Sequence, residues 1–70
     1  MKLVFNDYKP NEVIKIIREW TELSQKDFGK RIGKSERTIQ DYESGRRRYN
    51  IETLKKITET YNVKIIIEKK

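Results

Sequence analysis

The sequence predicts a mainly α-helical domain of four helices, or five if its last stretch is helical, with short β-strands at its two ends. Three observations predict it. Apolar residues recur at three- and four-residue spacing in several short stretches, as they do on helices with one buried face. Ser24, Ser35 and Asn50 precede three of these stretches as natural N-caps, and Gly33, Gly45 and Asn62 follow them as stops. The flanking segments, around Leu3–Phe5 and Val63–Glu68, are rich in β-branched or aromatic residues and lack the helical spacing.

In chain order, Leu3, Val4 and Phe5 place a strand within residues 2–6. The turn-like Asn6-Asp7-Tyr8-Lys9 leads to Pro10, whose fixed φ suits a first helical position. Val13, Ile14, Ile16, Ile17 and Trp20 then mark helix one, ending near Thr21, and Trp20 is expected in the core or at an interface because it shares that stripe. Ser24 with Asp27 three residues on approximates a capping box, so helix two runs over 25–32 and stops at Gly33. Ser35 caps helix three over 36–43, which Ser44-Gly45 ends. After the loop Arg46-Arg47-Arg48-Tyr49, Asn50 caps helix four, whose apolar side carries Ile51, Leu54, Ile57 and Tyr61. Residues 63–68 read as a strand. The two end strands can pair within one chain or across a dimer, and a lone exposed edge would invite aggregation.

With 70 residues, the chain is expected to form one domain over 1–70 with a small core, since a chain of this size removes only about 60% of its unfolded surface from water. It has no cysteine and no histidine, so neither disulfides nor a metal site is expected, and no cofactor either. The same absences, with no phosphate-cradling glycine loop, argue against an enzyme. No apolar run approaches a membrane span and the first residues are too short for a signal peptide, so a cytoplasmic protein is expected.

The net charge of +6 is uneven. Residues 1–23 balance four basic against four acidic side chains, whereas residues 24–50 carry eight basic and four acidic ones. A basic surplus in the middle of the chain suits a polyanion, because each cation placed on a phosphate releases a condensed counterion. An ordinary solvated basic surface has the same composition, so charge alone does not decide.

Between residues 25 and 44 the pattern fits two helices crossing at a tight turn. Phe28 and Ile32 give one apolar stripe, and Ile39 and Tyr42 the other. Gly29 lowers helix propensity by about 1 kcal/mol relative to alanine, which close backbone packing at the crossing would explain. Gly33 can adopt the left-handed conformation that reverses the chain in few residues. An ordinary helical hairpin would share the stripes but would not require both glycines.

These residues resemble the Cro/C1-type (Xre-like) helix-turn-helix regulators. The resemblance rests on Ser24-Gln25-Lys26-Asp27-Phe28-Gly29, Ile32-Gly33-Lys34-Ser35, Thr38-Ile39-Gln40-Asp41-Tyr42-Glu43-Ser44-Gly45 and Asn50-Ile51-Glu52-Thr53-Leu54, covering about residues 13–62. It departs from the family at Gly29, where alanine is usual, at Glu22, where a glycine often closes helix one, and at the tail, where a strand stands in place of a fifth helix. The resemblance implies a compact lambda-repressor-like helix-turn-helix domain with its motif at 25–44. It also implies a double-stranded DNA operator as partner, a homodimer, and the nucleoid-associated cytoplasmic location of a bacterial or phage-type repressor. The alternative is a protein-interaction module, such as an antitoxin or inhibitor built on the same fold with a protein partner.

On helix three, Ile39 and Tyr42 define the buried side, which turns Arg37, Gln40 and Asp41 outward. In a family-like docking Ser35, Glu36, Arg37, Gln40 and Asp41 face base edges. Arg37 suits a two-pronged contact to guanine, and Gln40 suits adenine. Glu36 and Asp41 can accept from cytosine or reject wrong sites. Arg37 and Asp41 also stand at i,i+4, where an ordinary ion pair of about 0.3–0.5 kcal/mol forms, and the two readings are compatible. Gln25, Lys34, Ser44, Arg46, Arg47 and Arg48 are assigned to phosphates. Arg18 and Glu43 match a family pair joining helices one and three, and with Gly29 and Gly33 they form the structural set. Tyr49 stands where the family often has proline and is expected to pack over helix four.

Overall fold

The computed structural model describes residues 2–69. Strand β1 (Lys2–Val4) leads through a 3₁₀ turn (Phe5–Asp7) to helices α1 (Pro10–Thr21), α2 (Gln25–Arg31), α3 (Glu36–Ser44) and α4 (Ile51–Tyr61), and the chain closes on strand β2 (Lys64–Ile66). The helix starts are local events. Ser24 Oγ accepts the amide of Asp27, Ser35 Oγ that of Thr38, and Asn50 Oδ1 that of Thr53, each relieving one of the unpaired donors of a first turn. At α1, Glu12 reaches back to accept the Lys9 amide at 2.8 Å.

The buried faces meet in one cluster: Val13, Ile14 and Ile17 of α1, Phe28 of α2 with Ile32 beyond it, Ile39 and Tyr42 of α3, Leu54 and Ile57 of α4, and Leu3 and Val63 from the chain ends. Tyr61 stacks on Phe28 with ring centroids 4.6 Å apart, and its hydroxyl donates to the Phe28 carbonyl at 2.8 Å, tying the end of α4 to α2.

The two end strands pair with each other inside the chain, parallel, with Lys2 opposite Lys64, Leu3 opposite Ile65 and Val4 opposite Ile66. Four helices form the crossover that a parallel pair requires. Both strands are shorter than the expected 2–6 and 63–68. The chain turns into the 3₁₀ segment at Phe5, and there the Asn6 side chain replaces backbone pairing: its amide donates to the Glu68 carbonyl and its oxygen accepts the Glu68 amide, both at 2.9 Å.

Two apolar residues on the helical stripes are exposed, and for Trp20 this rules out the core as one of its two expected places. Trp20 is 41% exposed and lies outside the core. Successive helical residues turn by 100°, which puts Trp20 on the half-buried Ile16 flank of α1, in its last turn before the chain leaves at Glu22. Ile51, the first residue of α4, is 66% exposed, although Thr53 and Leu54 of the same turn are buried.

Candidate nucleic-acid interface

The α2–α3 turn is held by main-chain bonds that converge on Gly29. Its carbonyl accepts the amides of Ile32 at 3.0 Å and Lys34 at 2.8 Å, while Gly33 takes φ +71°, a left-handed value that glycine adopts freely. A Cβ on Gly29 would stand 2.5 Å from the Lys34 carbonyl oxygen and 2.9 Å from Ile39 Cγ1. Gly29 thus lets the end of α2 touch both the turn and α3, which sets the angle at which α3 leaves the body.

The far end of α3 is fixed as firmly. Gly45 ends it at φ +80°, the Asp41 carbonyl accepts the Arg47 amide at 3.1 Å and the Ser44 hydroxyl at 3.2 Å, and Asn11 of α1 donates to the Glu43 carbonyl at 3.4 Å. Tyr49 packs edge-on against Tyr42 and donates its hydroxyl to the Pro10 carbonyl, so it braces the loop against α1 and α3 and does not simply cover α4. Its burial pushes the phenol up to about 12. Neither Asn11 nor Tyr49 carries a motif, and their partners lie 32 and 39 residues away in sequence, so no local signal marks them.

Arg18 and Glu43 join α1 to α3. Arg18 Nε donates to Glu43 Oε2 at 2.6 Å and Nη2 to Oε1 at 3.0 Å, a forked pair with side chains only 18% and 6% exposed. The Glu43 hydrogen bonds hold the Arg18 guanidinium above its ordinary pKa against the opposing effect of its burial. Arg18 Nη1 also donates to the Leu23 carbonyl at 3.1 Å, and Gln25 Nε2 donates to Glu43 Oε1 at 3.3 Å. Gln25 is therefore half-buried and anchored at one end, with its second amide hydrogen and its oxygen still available.

On the outer side of α3 and its approach, Ser35, Glu36, Arg37, Gln40 and Ser44 are exposed, as are Arg46, Arg47 and Arg48 in the loop beyond. Lys34 is half-buried in the turn. Asp41 is half-buried too and is not simply outward-facing, because it pairs with Arg37 at 3.4 Å and lies 3.9 Å from Arg46. The fold thus presents one short capped helix, its base locked to α1 and α2, with hydrogen-bonding side chains along its outer face and arginines at its exit.

A helix-turn-helix family model matches residues 14–66, which include all of α2, α3 and α4. This chain belongs to the Cro/C1-type helix-turn-helix family. It is accordingly a DNA-binding regulator of the helix-turn-helix kind. No curated protein and no solved structure matches it. The match also takes in β2, whereas β1 lies before it. Among the described residues no helix is long and apolar enough to cross a membrane.

Proposed function

We propose that this helix-turn-helix protein recognises a specific double-stranded DNA operator as a homodimer in the cytoplasm and represses transcription by occupying it. The observation that carries the reading is the outer face of α3: Ser35, Glu36, Arg37 and Gln40 stand exposed on a helix braced at both ends, so these side chains meet a groove at a defined angle. In this reading α3 enters the major groove. Arg37 bonds two guanine acceptors, Gln40 reads adenine, Ser35 and Glu36 meet the bases near the helix start, and Asp41 borders the same face. Glu36 also repels phosphates, which penalises misplaced dockings more than the correct one.

Gln25, Lys34, Ser44, Arg46, Arg47 and Arg48 surround that face and contact the sugar-phosphate backbone, setting register without reading sequence. A two-fold pair of such helices would meet successive major grooves, about 10 base pairs apart. Selection of binders from a randomised duplex pool at near-physiological salt tests this directly. A symmetric consensus with that spacing is expected. Binding that tracks salt alone, with no enriched sequence, would overturn the operator reading and favour a protein partner for the same fold.

A further inference from the structure

Asp41 lies one turn beyond Arg37 on α3, yet its surroundings set it apart from the other residues of that face. Its side chain is 20% exposed, against 72% for Arg37 and 70% for Arg46. A single oxygen, Oδ1, stands 3.4 Å from Arg37 Nε and 3.9 Å from Arg46 Nη1. The Asp41 carbonyl meanwhile holds the Arg47 amide and the Ser44 hydroxyl. Side chain and main chain together make Asp41 the junction between α3 and the arginine loop.

The nearest approach of Arg37 to this carboxylate is through Nε, at ion-pair range. An arginine attracted at Nε has its two terminal nitrogens directed away from the carboxylate, and it is this end-on fork that matches the paired acceptors O6 and N7 of guanine. With 72% of its side chain exposed, Arg37 carries that fork in solvent, where a groove can meet it. An unrestrained arginine loses much rotamer freedom on binding, and a carboxylate that already favours one orientation lowers that loss. Arg46 shares the same oxygen more weakly, so a phosphate that draws Arg46 away leaves the oxygen to Arg37 alone.

We propose that Asp41 reads no base and is instead a positioning residue: it presents the Arg37 guanidinium end-on to the groove and gives up Arg46 to the DNA backbone. The proposal rests on the reading of α3 as the base-reading helix.

The test compares the full chain with Asp41→Asn, Asp41→Glu, Arg37→Ala and the double variant Arg37→Ala/Asp41→Asn. Binding is measured on the selected consensus duplex and on every single base-pair substitution of it, with circular dichroism confirming that each variant is folded. Asp41→Asn should weaken discrimination by about three- to tenfold at the same base pair that Arg37→Ala affects, and leave the other pairs as they were. It should add nothing at that pair once Arg37 is gone. Asp41→Glu, which keeps a carboxylate within reach of Nε, should restore most of the preference. Non-specific affinity should rise in Asp41→Asn, because an acid near the phosphates has been neutralised.

A different outcome overturns the positioning role: Asp41→Asn relaxing a separate base pair, with effects that multiply with those of Arg37→Ala, would make Asp41 a direct reader. Unchanged preferences in Asp41→Asn would reduce the pair to a surface contact. A wild-type protein without any preferred sequence, or an Arg37→Ala variant with unaltered preference, would instead overturn the reading of α3 itself.

Discussion

Replacing Arg18 with methionine keeps the apolar stem of the side chain and removes its charge, leaving the Glu43 carboxylate in a site where it is only 6% exposed. In the intact protein that carboxylate accepts two hydrogen bonds from Arg18 and one, at 3.3 Å, from Gln25. After the substitution only the Gln25 contact remains, so a buried charge loses its countercharge. Such a loss is worth about 3–5 kcal/mol. A chain of this length has roughly 4–10 kcal/mol of stability in all, so Arg18→Met should remove a third of it or more. In a thermal melt each kcal/mol corresponds to about 4–8 °C for a domain of this size, which puts the expected fall in Tm above about 12 °C.

Glu43→Gln should be milder. Arg18 is 18% exposed, keeps its bond to the Leu23 carbonyl and can draw in water. Removing both charges together, as Arg18→Met/Glu43→Gln, leaves no charge stranded in the site and should cost less than Arg18→Met alone. Urea denaturation of the four proteins, followed by far-ultraviolet circular dichroism, measures the cycle. Losses that simply add, or an Arg18→Met loss below about 1 kcal/mol, would show that the pair behaves as a solvent-screened surface contact and would refute the reasoning.

Four further outcomes are expected. Gly29→Ala should destabilise by about 1–2 kcal/mol in denaturant titration, because the overlap with the Lys34 carbonyl and Ile39 outweighs the roughly 1 kcal/mol gain in helix propensity; a stabilised variant would show that the turn yields easily. Glu22 closes α1 in the left-handed region at φ 61°, so Glu22→Gly should raise the denaturation midpoint by the equivalent of about 0.5–1 kcal/mol, and a lowered midpoint would contradict the strain. Burial raises Tyr49 to about 12 and also raises Tyr61, so between the ordinary phenol value near 10 and about 12 the folded chain keeps protons that the unfolded chain has lost. Stability should hold below that window and fall as pH climbs through it, and Tyr49→Phe should flatten part of the fall, whereas an identical pH profile would discount Tyr49. Arg47→Ala should weaken binding to all duplexes about equally and lower the slope of log affinity against log salt by about one, whereas Arg37→Ala should change sequence preference; the reverse pattern would exchange their roles.

The helix boundaries are legible in the sequence because they depend on neighbours within four residues. Ser24, Ser35 and Asn50 bond amides three positions on, Gly33 and Gly45 supply positive φ at the turns, and helices two to four end within a residue of where those signals place them. The apolar spacing likewise identifies Val13, Ile14, Ile17, Phe28, Ile39 and Tyr42 as core. Periodicity states which side of a helix is apolar, but not how far the neighbouring elements extend over it. Trp20 and Ile51 therefore lie on apolar stripes and yet stand exposed at helix ends.

The same distinction runs through the candidate interface. The order and type of its residues, with arginines and a glutamine around a short capped helix, are properties of the sequence by itself. Tertiary structure decided what each can reach. It closed β1 on β2 within one chain, through contacts spanning 62 residues between Asn6 and Glu68, where strand propensity alone serves an internal or a dimeric pairing equally. It drew Gln25 toward Glu43, placed Asn11 and Tyr49 as braces for the exit of α3, and set Asp41 between two arginines. Caps and periodicity are short-range energies that a linear pattern records, whereas hydrogen bonds and burial between distant residues depend on where the packed helices carry their side chains.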